Sequence, residues 1–339
     1  MFNINVLSRL VGVFVLLLAF ASVLCPGQTL AEVKTLKLSH AWVKGDLRDN
    51  WANAFAAAVE KKTGGSLQFE MHPGGVLYKP KAQFDAIRKG ALDISIYPLG
   101  YTSGKFPRLA LPELPGLIES PEKGARFARS AVGQKLSDIA EKAGMKILAW
   151  GWIACSIGAK ERQVVRPEDI KGMKMRGAVK PINMTFQSAG AAITKMPSSE
   201  VYMALQTGVL DGLFTTNSSF LSFRLYDLVN HLTMGKRYSL INGLFVMVIS
   251  PKIFAKLTPE QQRALVEGGK ESETAFAKGV ETITAKTEKA FKDAGATVVD
   301  MTKGDYDAWI EESKKSAWKW YREKVKGGAE LLEMAEKVK

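Results

Sequence analysis

The chain has 339 residues, with 47 Lys+Arg against 34 Asp+Glu for a formal charge of +13, two Cys, three His and 46% hydrophobic residues. At ~100–200 residues per domain this is about two domains, and a chain this long buries roughly three quarters of its unfolded surface, so its core needs neither disulfide nor metal. Ordinary apolar content excludes disorder and collagen-like, coiled-coil or multi-span membrane classes, whereas the positive charge leaves nucleic-acid binding open, because net charge speaks to solubility and encounter rather than to function.

Residues 1–31 read as an export signal. Arg9 is the only charged side chain, an apolar run follows from Leu10 to Leu24, and Pro26-Gly27-Gln28-Thr29-Leu30-Ala31 supplies a small residue before a cut after Ala31. The run is about 15 residues where a membrane span needs ~20, and Leu24 is too bulky for a lipoprotein signal at Cys25. Cleavage places the protein in the periplasm with a charge of 13 − 1 = +12 and Cys155 alone. A lone thiol forms no internal bridge. Trp152-Ile-Ala-Cys155-Ser-Ile157 reads as an apolar strand in which Cys155 packs as a small hydrophobe.

In chain order, Leu36–Ser39 reads as a strand and Asp49–Lys62 as a helix, with Trp51, Phe55 and Val59 on one face before Thr63-Gly64-Gly65. Strand Ser66–Met71, helix Pro80–Lys89 and strand Ala91–Tyr97 complete β-α-β-α-β, the signature of a largely parallel sheet. The pattern recurs as helix Glu122–Ala143, strand Met145–Ser156, a helical turn at Pro167, strand Met173–Arg176 and helix Val179–Ala189. A helix capped by Ser198 or Ser199 runs to Thr207, followed by strands Val209–Phe214 and Tyr238–Ser250. Pro259 opens a helix whose apolar face persists to Ala294, with Gly268-Gly269 its only weak point. At 1.5 Å per residue, ~35 residues span roughly 50 Å, enough to run across two lobes. Strand Ala296–Met301, helix Tyr306–Lys324 and a Lys-rich tail close the chain.

Catalytic and cofactor signatures are missing from the sequence. His40, His72 and His231 are scattered, so neither a metal site nor a cofactor is expected. No G-x-S-x-G elbow or G-x-G-x-x-G loop occurs, and Gly269-Lys270 is followed by Glu271 where a P-loop needs Ser or Thr. Basic residues interleave with acidic ones along 267–292 and 311–326, the pattern of a solvated face rather than a nucleic-acid surface. Two α/β lobes joined by strands, export and no catalytic set describe a binding protein that closes on its ligand by hinge motion.

Three segments sharpen this. EKKTGGSLQFEMHPGGVL (60–77) with AIRKGALDI (86–94), RPEDIKGMKMRG (166–177) and MPSSEVYMALQTGVLDGLF (196–214) resemble, in this order and spacing, the solute-binding proteins of tripartite ATP-independent periplasmic (TRAP) transporters. The resemblance covers residues 34 to 300. It implies a two-lobed periplasmic binding protein fold with strand hinges and a long helix spanning both lobes. Residues 32–153 and 243–280 would form lobe I, and 154–242 with 281–339 lobe II. It implies a monomeric receptor for a small organic acid anion, handing it to a small and a large integral membrane subunit. The family's hallmark arginine, which grips the ligand carboxylate, corresponds to Arg176. A guanidinium fork makes two parallel charge-assisted bonds that Lys cannot reproduce. Where many members carry Asn shortly after the DG pair, Thr215 aligns best and Asn217 is the alternative. Sialic-acid-type members carry a further Arg about twenty residues before the hallmark; Ser156 stands there, which argues against a heavily charged ligand. Trp42, Tyr97, Phe214, Trp152 and Trp150 are candidate aromatic pocket walls, with Trp150 and Trp152 on one face of their strand. Aromatic acids, keto acids and dicarboxylates all remain open as ligands, and an ATP-driven transporter, a sensor or an exported enzyme on the same fold are the rival functions.

Overall fold

The computed structural model describes residues 33–338, so the export signal, its cleavage site and Cys25 lie outside the described residues. The strands are β1 (Lys34–Ser39), β2 (Leu67–His72), β3 (Ile94–Pro98), β4 (Lys146–Ala159), β5 (Lys174–Gly177), β6 (Ala192–Ile193), β7 (Gly212–Thr216), β8 (His231–Met234), β9 (Asn242–Ile249) and β10 (Thr297–Asp300). They lie in the order β2-β1-β3-β9-β4-β7-β5-β6, with β8 beside β4 and β10 beside β8. β1 runs parallel to both β2 and β3. Helices Leu47–Lys62 and Pro80–Lys89 make the connections, as the alternating pattern required. In the other half β5 is parallel to β6 and β7, while β7 and β8 pair antiparallel with β4.

Two elements hold the halves together. The first is β4, whose residues up to Ala154 pair with β9 and whose residues from Cys155 pair with β7, so one continuous strand passes from half to half. The second is the 35-residue helix Pro259–Asp293, begun by a capping box between Thr258 and Gln261. Its Leu265, Phe276 and Val280 pack with Trp51, Leu148 and Met247, and its Phe291 packs with Phe220 and Leu232 on the other side. Gly268-Gly269 is a contact rather than a flaw in this helix. A Cβ on Gly268 would meet Val59 Cγ2 at 2.5 Å, and one on Gly269 would meet the Leu148 carbonyl at 2.3 Å. The missing side chains let the helix lie directly on its neighbours.

Several elements depart from the sequence expectation. The helix expected over Glu122–Ala143 is two helices, Pro121–Arg129 and Ala131–Lys142. Ser130 separates them: its backbone is extended and its hydroxyl accepts the Gly133 N–H, ending one helix and capping the next. The expected Tyr306–Lys324 helix starts at Lys303, under a Thr302 cap, and widens into a π turn at Lys314–Trp318. The Lys-rich tail holds a helix, Gly328–Glu336, that buries Leu331, Leu332 and Ala335. Tyr321, Val325, Leu331 and Leu332 pack with Leu109, Phe127, Leu136 and Met145, against the first half of the molecule. Only the packed structure shows which apolar face those helices meet. β8, the short helix Asn217–Ser222 and the 3₁₀ segment Pro107–Glu113 were too short to show a period in the sequence.

Candidate functional site

A cavity of about 40 Å³ lies where the halves meet, walled by Trp42, Arg48, Tyr101 and Glu113 from one side and Arg176, Thr215 from the other. Arg176 sits on β5, paired through Leu213 with β7, and is 1% exposed. Its Nε donates to the Met196 carbonyl at 3.2 Å, Nη1 to the Phe214 carbonyl at 3.0 Å and Nη2 to the Tyr101 hydroxyl at 3.2 Å. A guanidinium has five N–H groups. These bonds leave one N–H on each terminal nitrogen, the pair from which a guanidinium grips both oxygens of a carboxylate. Among the described residues no acidic side chain lies within ion-pair distance of Arg176, so its charge is buried without a counter-charge.

The other arginine in the cavity is already neutralised. Arg48 is held by Asp46 through two contacts of 2.7 Å, Nε to Oδ1 and Nη2 to Oδ2. Burial of Asp46 opposes its ionisation, but Arg48 beside it outweighs that and holds the carboxyl below the usual carboxylate range. The Arg48 guanidinium lies 4.2 Å from the centre of the Trp42 ring and reaches across to the Ser219 hydroxyl at 3.2 Å. Tyr101 crosses in the same way. Besides Arg176, its hydroxyl accepts the Ser198 N–H at 3.3 Å, leaving its own O–H to donate. The hydroxyl of Thr215 makes no hydrogen bond to a described residue, and the buried indole N–H of Trp42 has no partner either. Just past Arg176, Ala178 takes φ = 40°, a left-handed backbone that L side chains rarely adopt, and it lines the same cavity.

The structure separates the candidates from sequence, and Trp150 is not among those that line the cavity. Arg176, Thr215, Trp42 and Phe214 line the cavity. Asn217, Ser156, Trp152 and Tyr97 do not. Asn217 and Ser156 satisfy each other: the Ser156 hydroxyl donates to Asn217 Oδ1 at 2.6 Å, accepts the Gly235 N–H at 2.9 Å, and the Asn217 amide donates to Thr284 at 3.2 Å. Both are therefore fasteners of the second half. Trp152 stacks on Trp150 at 6.3 Å and packs over Gly124, away from the cavity. Tyr97 packs between Phe84 and Tyr101, and burial pushes its hydroxyl well above its ordinary value. Trp42 keeps no free face for stacking, since Arg48 covers it and His40 stacks alongside at 6.2 Å. Cys155 is free, buried and in the cavity wall. Burial pushes its thiol far up, which a backbone hydrogen bond from Gly243 does not offset, and the thiol makes a weak contact to the Ile153 carbonyl at 3.8 Å. It thus packs as the small hydrophobe its sequence context indicated.

Arg48, Tyr101 and Glu113 escaped the sequence reading. Glu113 carried a signal: it is the one charged residue in the run Leu109-Ala-Leu-Pro-Glu113-Leu-Pro-Gly-Leu-Ile118. It is 3% exposed, and burial pushes its carboxyl up to about 8. Arg48 stands among Asp46 and Asp49 and reads as a helix start, and Tyr101 lies in a loop with no pattern. Among the described residues no group of His, Cys, Asp and Glu could hold a metal ion, and no helix is long and apolar enough to cross a membrane.

Comparisons with known proteins agree with this architecture. The model of the family described as bacterial extracellular solute-binding protein, family 7, matches residues 38–324. A solved TRAP periplasmic solute-binding protein from Rhodoferax ferrireducens with bound malonate is similar at 37% identity and a TM-score of 0.86, over 89% of this chain and 98% of that one. A solute-binding protein of Albidiferax ferrireducens is 36% identical over 313 residues, 91% of this chain and 93% of that protein. The C4-dicarboxylate-binding periplasmic protein DctP of Rhodobacter capsulatus is 28% identical over 91% of each chain. The family model covers most of the chain and these relatives match it nearly end to end: the chain belongs to the family 7 bacterial extracellular solute-binding proteins.

Proposed function

We propose that the protein is an extracytoplasmic receptor that closes on a short-chain carboxylate and delivers it to a TRAP-type secondary transporter built from a small and a large membrane subunit. One observation carries the ligand class: Arg176 is buried, has no acidic partner and keeps one N–H free on each terminal nitrogen. A bound carboxylate supplies the missing charge and takes both donors. Thr215, Tyr101 and Trp42 add donors around it. The size of the cavity favours a small body. At ~10–15 Å³ for one water-sized group, about 40 Å³ holds three or four such groups beyond the protein's own atoms. With Trp152 and Tyr97 elsewhere and Trp42 covered, a short hydroxy, keto or dicarboxylic acid fits better than an aromatic one. The malonate bound to the Rhodoferax ferrireducens relative is an acid of this size. Catalysis is not part of the proposal, because burial pushes Cys155, the cavity's only thiol, far up and leaves it no thiolate nucleophile.

A thermal-shift screen of the exported chain tests this with malonate, succinate, lactate and their amides. An acid present at 100 times its Kd stabilises the folded form by about 2.7 kcal/mol, which raises Tm by several degrees. The proposal expects that rise with at least one acid and none with the neutral amides. No rise with any acid, or an equal rise with amide and acid, overturns it.

A further inference from the structure

We infer that Glu113 is a second contact to the bound anion, one that holds it through a carboxylic O–H, so that ligand affinity is tied to the proton on Glu113 and falls as that proton is lost. This rests on the reading of the cavity as a carboxylate site.

Glu113 ends the 3₁₀ segment Pro107–Glu113 and shares the cavity wall with Arg176. In a space of about 40 Å³, an anion held by Arg176 has Glu113 as another wall. The carboxyl lies close over the Gly100 backbone: a Cβ there would come within 3.2 Å of its Oε1. Its one hydrogen bond is the Leu244 N–H to Oε1, at 3.3 Å, and its second oxygen has no partner among the described residues. An ionised carboxylate in such a place is normally paired or accepts several strong bonds. Here no Lys, Arg or His lies within ion-pair distance of it among the described residues.

The charged and titratable groups around the same cavity are Arg48, Arg176, Tyr101 and Cys155. Arg48 is spent on Asp46. On the segment itself Arg108 is exposed, and so are the charges on the helices packed behind it: Lys135, Asp138, Glu141 and Lys142 on one, Arg322, Glu323 and Lys324 on another, Glu330, Glu333 and Glu336 on a third. Lys180, on the helix beside the cavity mouth, lies over the Trp320 ring at 4.1 Å. The Leu244 N–H favours the charged form of Glu113, but burial outweighs it and pushes the carboxyl up to about 8. The protonated acid can donate a short charge-assisted O–H···O⁻ bond to a ligand carboxylate. The ionised form would set a like charge against the ligand and repel it.

The consequence is quantitative. The bound anion raises the proton affinity of Glu113 further, so binding above that range takes up one proton. For a free-state value of about 8, Kd is nearly flat below pH 7.5 and weakens about 25-fold between pH 7.5 and 9.5. The probe is the tightest of malonate, succinate and lactate, titrated calorimetrically into the wild-type chain across that range and, at pH 9, in two buffers of different ionisation enthalpy. Expected are the 25-fold weakening and an uptake of about 0.9 proton per ligand. Glu113→Gln keeps an N–H donor, cannot titrate and should lose both effects, while Tyr101 and Cys155 remain as internal controls. A flat wild-type Kd, an uptake near zero, or the same slope in Glu113→Gln overturns the proposal. The wild-type uptake decides the matter even if the variant does not fold. Arg176-dependent binding without a pH slope would leave the carboxylate site standing and remove only this proposal; no binding of any of the three acids removes both.

Discussion

Replacing Tyr101 by Phe removes one oxygen from the interior and with it two bonds that tie the halves together. The hydroxyl accepts the Arg176 Nη2–H at 3.2 Å and the Ser198 N–H at 3.3 Å, from residues 75 and 97 positions further along the chain. A net hydrogen bond to a charged group contributes about 1.5–3 kcal/mol and a neutral one about 0.5–1.5. Both form only when the halves are together, so the closed state loses about 2–4 kcal/mol relative to an open one in which water serves the same donors. When the free protein is mostly open, that whole loss appears in the ligand affinity, as about 30- to 1,000-fold at ~1.4 kcal/mol per decade. Stability of the separate halves should change little, because the ring still packs against Tyr97. Calorimetry with malonate gives the affinity, and small-angle scattering with ligand present gives the closed fraction. A Tyr101→Phe protein that binds within threefold of wild type and scatters as the same closed particle would refute the assignment of Tyr101 as the closing bond.

Other substitutions probe the frame around the site. Gly269→Ala forces a methyl group against the Leu148 carbonyl at 2.3 Å, a main-chain atom that cannot swing away. The expected cost is about 1–3 kcal/mol, read from urea unfolding; an unchanged midpoint would mean that the long helix does not lie on β4. Ala178→Gly relieves the left-handed backbone at φ = 40° and should raise stability by up to about 1 kcal/mol in the same assay, with a loss counting against the strain. Glu113 also sets a pH slope on folding. Its carboxyl is raised in the folded state, to about 8 from 4.5, so between those values the unfolded chain binds fewer protons than the folded one, and stability falls as pH rises. Below pH 4.5 the contribution is flat. Glu113→Gln should remove that part of the decline between pH 5 and 8, and chemical unfolding of both proteins at several pH values would show identical slopes if the reasoning is wrong.

What could be read from the sequence follows from how far each feature depends on distant contacts. The β1 to β3 ladder was legible because Trp51, Phe55 and Val59 repeat at helical spacing between alternating strands, and the long helix because its apolar face persists without a Pro. Gly268-Gly269 carried the opposite of its apparent meaning, since a lack of side chain is a weakness in an isolated helix and a fit against Val59 and Leu148. Arg176 and Thr215 were legible as candidates through motif position. Asn217 and Ser156 were not separable from them on residue type alone: each is polar and close to the right place, and only the bond between them shows that they face one another rather than the cavity. Tyr101, Arg48 and Glu113 depend on pairings 75 to 171 positions apart and on the fit of one wall to another. Such information has no local period. The single charge in the apolar run around Glu113 was the one local trace of it.

The account rests on Arg176 as the group that recognises the ligand's carboxylate, and calorimetric titration of malonate, succinate and lactate into wild type and Arg176→Ala tests that most directly. Truncating one partner of a buried, hydrogen-bonded charge pair costs about 2–5 kcal/mol or more. The account therefore predicts that the acid bound by the wild type binds Arg176→Ala at least about 30-fold more weakly, in a protein that remains folded. Affinity unchanged in a folded Arg176→Ala protein would contradict it.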